Sequence, residues 1–294
     1  MDTQSRIERA LHATLSAHEV AGAPHRLVAA IRHAVFPGGA RIRPHLCIAV
    51  ALACGDDDPG LATAAAASLE LMHCASLVHD DLPCFDNAAT RRGRPSVQAA
   101  YGEPLAVLTG DALIVMAFQI LAGAAGKSPA RLAPLMSTIA AGTGMPFGIV
   151  AGQAWECEPK VNLSDYQRAK TGALFAAATA AGAQAAGADP ARWRTLGERL
   201  GEAYQIADDI RDVMADPDVL GKPIGQDASL GRPSAAHQLG LTGAIEHFEG
   251  LVAGAMESIP NCAGAPRLRA LVKMESERLV PKAWCEDAAR RVPA

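Results

Sequence analysis

The stretch that decides the fold is Ala62–Asp81, which reads Ala-Thr-Ala-Ala-Ala-Ala-Ser-Leu-Glu-Leu-Met-His-Cys-Ala-Ser-Leu-Val-His-Asp-Asp. Alanine is the strongest helix former, and the stretch holds few of the β-branched residues that favour strands. It predicts a long helix over about Ala62–His79 that ends before Pro83. A second long helix is predicted to begin at Asp189-Pro190, an N-cap followed by proline, and to end near Asp216-Pro217.

The rest of the chain has the same character. It has 294 residues, of which 50% are hydrophobic, so it is long enough to bury a large core. Glycine and proline separate a series of helical segments by short loops, and no linker or low-complexity stretch interrupts the series. The sequence therefore predicts an all-α chain with a single domain over residues 1–294.

Charge and cysteine content limit the function classes. A net charge of −4, a pI of about 6.1 and the lack of a strongly basic stretch argue against a nucleic-acid partner. The seven cysteines are widely spaced and form no CxxC pair, which indicates reduced thiols and a cytoplasmic protein. The apolar run Leu105–Ala125 contains Asp111 and Gln119, so a buried helix is predicted there and no membrane span.

Each of the two long helices carries aspartates at its C-terminal end. They are Asp80, Asp81 and Asp86 for the first helix, and Asp208, Asp209 and Asp212 for the second. The C-terminal end of a helix already carries partial negative charge, so carboxylates there repel it and each other. A cation would reverse this repulsion, and oxygen-only clusters suit Mg²⁺. The alternative is two solvated acidic helix ends; the helical context excludes an EF-hand calcium loop.

Basic residues lie close to both acidic clusters in sequence and suggest an anionic ligand. They are Arg41, Arg43, Arg91, Arg92, Arg94, Lys170, Lys222 and Arg232. Arginine offers forked donors to phosphate oxygens and lysine offers a point charge, although each residue alone is typical of a surface. His73 precedes Asp80 by two helical turns and lies on nearly the same face. Both a structural role and a hydrogen bond to phosphate remain open for it.

A family resemblance is carried by five strings: His79-Asp80-Asp81-Leu82-Pro83-Cys84-Phe85-Asp86, Arg91-Arg92-Gly93-Arg94-Pro95, Gly110-Asp111-Ala112-Leu113, Lys170-Thr171-Gly172-Ala173-Leu174 and Gln205-Ile206-Ala207-Asp208-Asp209-Ile210-Arg211-Asp212. Together they closely resemble the trans-polyprenyl diphosphate synthases, which include the farnesyl and geranylgeranyl diphosphate synthases. The resemblance runs from about Phe36 to Arg232, in order and at the family's spacing. The residues before the first motif look like those of geranylgeranyl synthases that feed carotenoid-type pigment pathways.

The resemblance implies a fold, a reaction and a set of site residues. It implies the isoprenoid synthase type I fold, a bundle of long helices around a central cavity, in a homodimer. It implies condensation of isopentenyl diphosphate with an allylic diphosphate, through an allylic carbocation, with about three Mg²⁺ ions. Asp80, Asp86 and Asp208 match metal ligands, with Asp81, Asp209 and Asp212 supporting them. The allylic diphosphate site is matched by Arg91, Lys170 and Lys222. The isopentenyl diphosphate site is matched by Arg43, His73 and Arg92. The groups that face the cation are matched by Thr171 and Gln205.

The sequence departs from the family pattern at a few positions. Family members usually have lysine after the Gly-Gly pair, and here Ala40 follows Gly38-Gly39. Three alternatives are open for the missing lysine side chain. Arg41 replaces it, a residue from elsewhere replaces it, or the contact is absent. The acidic run after the first motif is reduced to Asn87-Ala88-Ala89, and Gln98 stands where histidine is common. These changes bear on the second substrate and leave the metal motifs intact.

Product length is expected to depend on small residues before the first motif. The resemblance places Ala75 and Ser76 at the floor of the product tunnel, where an aromatic residue gives a C15 product, and Met72 one turn below. These residues predict a C20 product, geranylgeranyl diphosphate, made from farnesyl diphosphate or a shorter primer. In the alternative, Ala75 faces a neighbouring helix and other residues form the floor. The alternatives are a farnesyl or longer-chain synthase and a non-catalytic partner subunit. A terpene cyclase is disfavoured because cyclases usually lack a second aspartate motif and the isopentenyl-site residues.

Overall fold

A computed structural model of the chain describes residues 2–36, 38–124, 126–160, 163–214 and 235–284. The helices of its first half are α1 (Thr3–Ser16), α2 (His25–Val35), α3 (Ile42–Ala53), α4 (Pro59–Asp80), α5 (Val97–Tyr101), α6 (Glu103–Gly123) and α7 (Leu132–Thr143). Those of the second half are α8 (Ile149–Ala154), α9 (Leu163–Gln167), α10 (Ala173–Ala185), α11 (Ala191–Met214), α12 (Ala235–Glu257) and α13 (Ala265–Leu279). Two short strands, β1 (Thr90–Arg91) and β2 (Arg94–Pro95), pair in an antiparallel hairpin. The predicted all-α class is confirmed.

Helix α4 is the central helix of the first half. It begins where Asp58 caps it, with a side-chain oxygen accepting from the backbone N–H of Leu61 at 3.2 Å, and Pro59 occupies the first helical position. It packs against α3, α6 and α10, and most of its residues are buried. The helix predicted over about Ala62–His79 is confirmed, and it starts three residues earlier.

Helix α11 plays the corresponding part in the second half and packs between α10 and α12. Asp189 precedes it and accepts a hydrogen bond from the N–H of Ala191 at 3.0 Å. Gly201 allows a close approach, because a Cβ atom there would lie 2.7 Å from Cα of Gly172. The middle of α11 is thereby set against the π-helical turn Arg168–Gly172, which precedes α10.

Two helices, α4 and α6, are long and apolar enough to cross a membrane when judged by length and composition alone. The apolar window is 78% buried in α4 and 39% buried in α6. Core helices of globular proteins meet the same criteria, and α4 is such a helix. Helix α6 buries one side and keeps an apolar side exposed, so the predicted burial of Leu105–Ala125 holds for one side only.

Candidate active site

The loop after α4 folds back so that Asp86 lies beside Asp80. The N–H of Asp86 donates to the carbonyl of Asp80 at 3.0 Å, and the N–H of Ala88 donates to the carbonyl of Asp81 at 3.1 Å. One carboxylate oxygen from each of Asp80, Asp86 and Glu156 lies within 4.8 Å of the other two. Such an all-oxygen set matches the donors that Mg²⁺ uses, so the residues present fit this ion.

Asp81 is buried and binds Arg91. Arg91 stands in the β1–β2 hairpin, whose turn has positive φ at both Arg92 (54°) and Gly93 (72°). Nε of Arg91 donates to Oδ1 of Asp81 at 2.9 Å. Burial raises the pKa of Asp81, whereas the hydrogen bonds and charge of Arg91 oppose that rise. Asp81 therefore holds the hairpin arginine next to the first acidic motif.

Lys170 links the first acidic motif to the turn before α10. Its Nζ lies 2.5 Å from Oε1 of Glu156 and 3.4 Å from Oδ1 of Asp80. Burial raises the pKa of Asp80, and the charge of Lys170 partly offsets this effect. A carboxylate with a raised pKa, close to two more carboxylates, is stabilised by any cation that binds among them.

The next residue of the same turn connects to the second acidic helix. Thr171 Oγ1 donates to Oε1 of Gln205 at 3.1 Å, and Gln205 precedes Asp208 by three residues on α11. Two adjacent residues of the π turn thus contact both long helices, Lys170 at Asp80 of α4 and Thr171 at Gln205 of α11, one turn before Asp208. Turns of this kind inside helices are frequent at functional sites.

The three aspartates at the end of α11 differ in their surroundings. Asp208 is partly exposed and pairs with Arg211 at 2.8 Å, and Asp212 follows one turn later on the same face. Asp209 is 2% exposed, and its carboxylate accepts from Nε2 of Gln205 at 3.1 Å and from the N–H of Ala235 at 2.7 Å. Asp209 therefore holds the start of α12, and the supporting metal role expected for it stays a prediction.

Arg43 and His73 form a second basic group below the acidic ends. Nη1 of Arg43 lies 3.4 Å from Nε2 of His73, and the guanidinium stacks on Phe175, 4.6 Å from the ring centroid, and on Tyr204. Burial, followed by the charges of Arg43 and Arg92, lowers the pKa of His73 well below its usual range. His73 is therefore neutral at pH 7 and presents one donor and one acceptor.

Arg41 does not replace the lysine that usually stands at the position of Ala40. Its guanidinium is buried and donates to Glu8 at 2.9 Å, to Glu70 at 2.6 Å and to the carbonyl of Val35 at 2.9 Å. Arg41, one of the alternatives for the missing cation, is ruled out because its guanidinium is buried and each of its three nitrogens is bonded within the protein. Ala40 itself is exposed.

One face of α4 is partly accessible although the helix is otherwise buried. His73, Ser76, Leu77 and Asp80 are half-buried, and their spacing places them on a single face. Ala75 and Met72, by contrast, are 2% and 1% exposed. The accessible face runs from the basic group to the acidic motif, so Ser76 lies between them.

Comparison with known proteins identifies the family. The polyprenyl synthetase family model matches residues 24–250 of the chain. The chain belongs to the polyprenyl synthetase family. Among the curated polyprenyl synthetases, the geranylgeranyl diphosphate synthase of Cereibacter sphaeroides is 53% identical over 281 residues, which cover 96% of this chain and 98% of that protein. The geranylgeranyl diphosphate synthase of Rhodobacter capsulatus is 50% identical, with coverage of 95% and 97%.

Solved structures agree with this assignment to the polyprenyl synthetases. The geranyltransferase of Helicobacter pylori, solved with magnesium and isoprenyl diphosphate, is 29% identical and superposes with a TM-score of 0.80. The match covers 94% of this chain and 96% of that one. The isoprenoid synthase fold expected from the sequence is confirmed.

The structure adds one residue to the predicted polyprenyl synthetase site. Glu156 lies in the 3₁₀ turn Trp155–Cys157 after α8, and the sequence analysis missed it because no motif surrounds it. Its only sequence signal is a polar pair, Gln153 and Glu156, a short distance before Lys170. Lys222, expected at the allylic diphosphate, lies outside the described residues.

Proposed function

We propose that this chain condenses isopentenyl diphosphate with an allylic diphosphate, farnesyl diphosphate in the main reaction, to give geranylgeranyl diphosphate. The observation that carries the proposal is the π turn, in which Lys170 contacts Asp80 of the first motif and Thr171 contacts Gln205, three residues before Asp208 of the second. The identity of about half of all positions with two geranylgeranyl diphosphate synthases supports the same reaction.

In the proposed site magnesium is held by Asp80, Asp86 and Asp208. Asp81 supports Asp80, and Asp212 supports Asp208. We assign three ions, in keeping with the two separate acidic groups. When bound, magnesium neutralises the charge that accumulates on the leaving diphosphate. Asp209 is left out of the ligand set because its carboxylate holds α12.

The cationic side chains hold the two diphosphates on either side of the acidic ends. Arg91 and Lys170, together with Lys222, are assigned to the allylic diphosphate, since Arg91 and Lys170 contact the first motif. Arg43 and Arg92, with neutral His73 as hydrogen-bond donor, are assigned to isopentenyl diphosphate. Fixed donors of this kind stabilise the leaving group without reorganising during the reaction.

The remaining roles concern the allylic cation. We assign Thr171 and Gln205 to the positive charge that develops beside the diphosphate, and their contact with each other next to Lys170 supports this assignment. The departing diphosphate takes the proton that the product loses, and no side-chain base is assigned. The half-buried face of α4 carries apolar Leu77 beside Ser76, which limits the access of water to the cation.

A turnover assay of the purified chain tests the proposed function. With farnesyl diphosphate, isopentenyl diphosphate and magnesium, chromatography is expected to show a C20 product as the main species. Assays with shorter allylic primers define the primer range. No turnover by the chain alone, with activity appearing after a second synthase is added, would favour the partner-subunit alternative.

Substitution of Ala75 by tyrosine is expected to shorten the main product from C20 to C15. Ala75 is almost fully buried beside the accessible face, so an added ring overpacks its surroundings and is expected to extend into the space beside Ser76. There it blocks the passage of the growing chain. Product chromatography checks this, and Ala75→Ser is the matched control with unchanged product. A C20 product from Ala75→Tyr would remove Ala75 from the tunnel floor.

The assembly is proposed to be a homodimer that uses the exposed side of α6. This side carries Leu108 and Val115, 50% and 57% exposed, and α7 beside it exposes only small or uncharged residues. Sedimentation equilibrium should give twice the chain mass of 30.4 kDa, and Val115→Glu should shift the protein towards the monomer. A monomeric parent protein would contradict the assignment.

A cytoplasmic location is proposed on the basis of the cysteines. Those within the described ranges, Cys47, Cys54, Cys74, Cys84, Cys157 and Cys262, are free thiols. Reduced thiols are typical of the cytoplasm. Recovery of the protein in the membrane fraction of lysed cells would contradict this location.

A further inference from the structure

Glu156 is held in a fixed orientation by two neutral donors. The hydroxyl of Tyr166 donates to Oε1 at 2.6 Å, and Nε2 of Gln153 donates to Oε2 at 3.0 Å. Neither donor carries a charge, so the carboxylate keeps its position whether or not a cation is near. The orientation of the Glu156 carboxylate is therefore set independently of Lys170.

The backbone next to Glu156 also fixes Lys170. A Cβ atom on Gly152 of α8 would lie 2.4 Å from the backbone nitrogen of Lys170 and 2.5 Å from its Cα. Only glycine permits this contact, which sets α8 directly against the π turn. The two ends of the Glu156–Lys170 pair are thus carried by backbone segments in contact with each other.

The lysine ammonium is shared unequally between two carboxylates. It is 2.5 Å from Glu156 and 3.4 Å from Asp80, so the shorter, charge-assisted hydrogen bond is with Glu156. A closer bond to Asp80 would occupy the oxygen that a metal ion needs. The ammonium instead lies closer to Glu156.

We propose that Glu156 is a positioning residue that keeps the Lys170 ammonium off Asp80, leaving Asp80 open to magnesium and Lys170 open to the diphosphate. The inference rests on the proposed function, since it assigns those two ligands. Glu156 is near enough to Asp80 and Asp86 to bind the metal itself. However, its two oxygens already accept three hydrogen bonds, which favours the positioning role.

Removal of the Glu156 charge tests the proposal. In Glu156→Gln the ammonium loses its nearer anion and moves onto Asp80, the other carboxylate with which Lys170 forms an ion pair. Magnesium is titrated calorimetrically into protein that holds inorganic pyrophosphate. The apparent magnesium affinity is expected to fall about tenfold, the size of one charge-assisted hydrogen bond. Tyr166→Phe, which loosens Glu156 without removing its charge, is expected to cause a smaller fall.

A double-substitution cycle separates positioning from direct metal binding. If Glu156 acts through Lys170, then Glu156→Gln weakens magnesium binding less than twofold in a Lys170→Gln background. An equal loss in both backgrounds would make Glu156 a metal ligand and overturn the proposal. An unchanged magnesium affinity in both Glu156→Gln and Tyr166→Phe would also overturn it. Glu158→Gln, the same change on an exposed neighbour, is the control. If the parent protein fails to bind magnesium with pyrophosphate, the proposed function itself fails.

Discussion

Asp80→Asn is expected to lower kcat by about 10²–10³-fold, the usual effect of removing one preorganised group that stabilises transition-state charge. Asp80 is the residue at which the acidic motif, the Lys170 contact and the accessible face of α4 meet. Asparagine keeps the shape of the side chain but removes the charge that attracts a divalent cation. Steady-state kinetics at saturating substrates and magnesium measures the effect.

The same substitution is expected to leave the protein at least as stable as the parent. Burial raises the pKa of Asp80, which means that its charged form is disfavoured in the folded protein without metal. The control is Asp57→Asn, which makes the same chemical change at an exposed ion pair with Arg131 and should leave kcat unchanged. Full activity in Asp80→Asn would exclude this carboxylate from the metal site.

Glu70→Ala is expected to lower the free energy of unfolding by about 3–5 kcal/mol, because it leaves the buried charge of Arg41 without its main partner. The side chains of Arg41 and Glu70 are 0% and 2% exposed and lie 2.6 Å apart. Arg41 also has a left-handed backbone, φ 50°, at the start of α3, so its anchoring fixes the helix that carries Arg43. Urea unfolding measures the loss of stability.

Two further variants distinguish a buried ion pair from general packing. Glu8→Ala removes a partner that is 28% exposed, and the expected cost is about 1 kcal/mol. Arg41→Met combined with Glu70→Leu replaces both charges with apolar groups and should recover much of the loss. A similar small loss for Glu70→Ala and Glu8→Ala would contradict the view that Arg41 is a structural anchor.

The acidic motifs were predictable because their geometry is local. Asp80, Asp81 and Asp86 lie within seven residues, and the helix that carries Asp80 was evident from its alanine content. Helical periodicity likewise placed His73 with Asp80, and the structure puts both on the accessible face of α4. Features of this kind follow from the chain itself, without knowledge of its partners.

Roles that depend on distant partners were not predictable. Arg41 was open to a substrate role until the structure placed it between Glu8 and Glu70, which are 33 and 29 residues away in sequence. Asp209 is adjacent to Asp208 and chemically identical, yet its carboxylate caps the backbone of Ala235, 26 residues later. Glu156 reaches the first motif only because Gly152 lets α8 pack onto the Lys170 turn.

A crystal structure with magnesium and inorganic pyrophosphate tests the central claim most directly. We expect one pyrophosphate with metal ions on both of its sides, ligated by Asp80 of α4 and Asp86 of the loop after it, and by Asp208 of α11. Density for the anion at only one helix end, with the other carboxylates facing bulk water, would contradict the account.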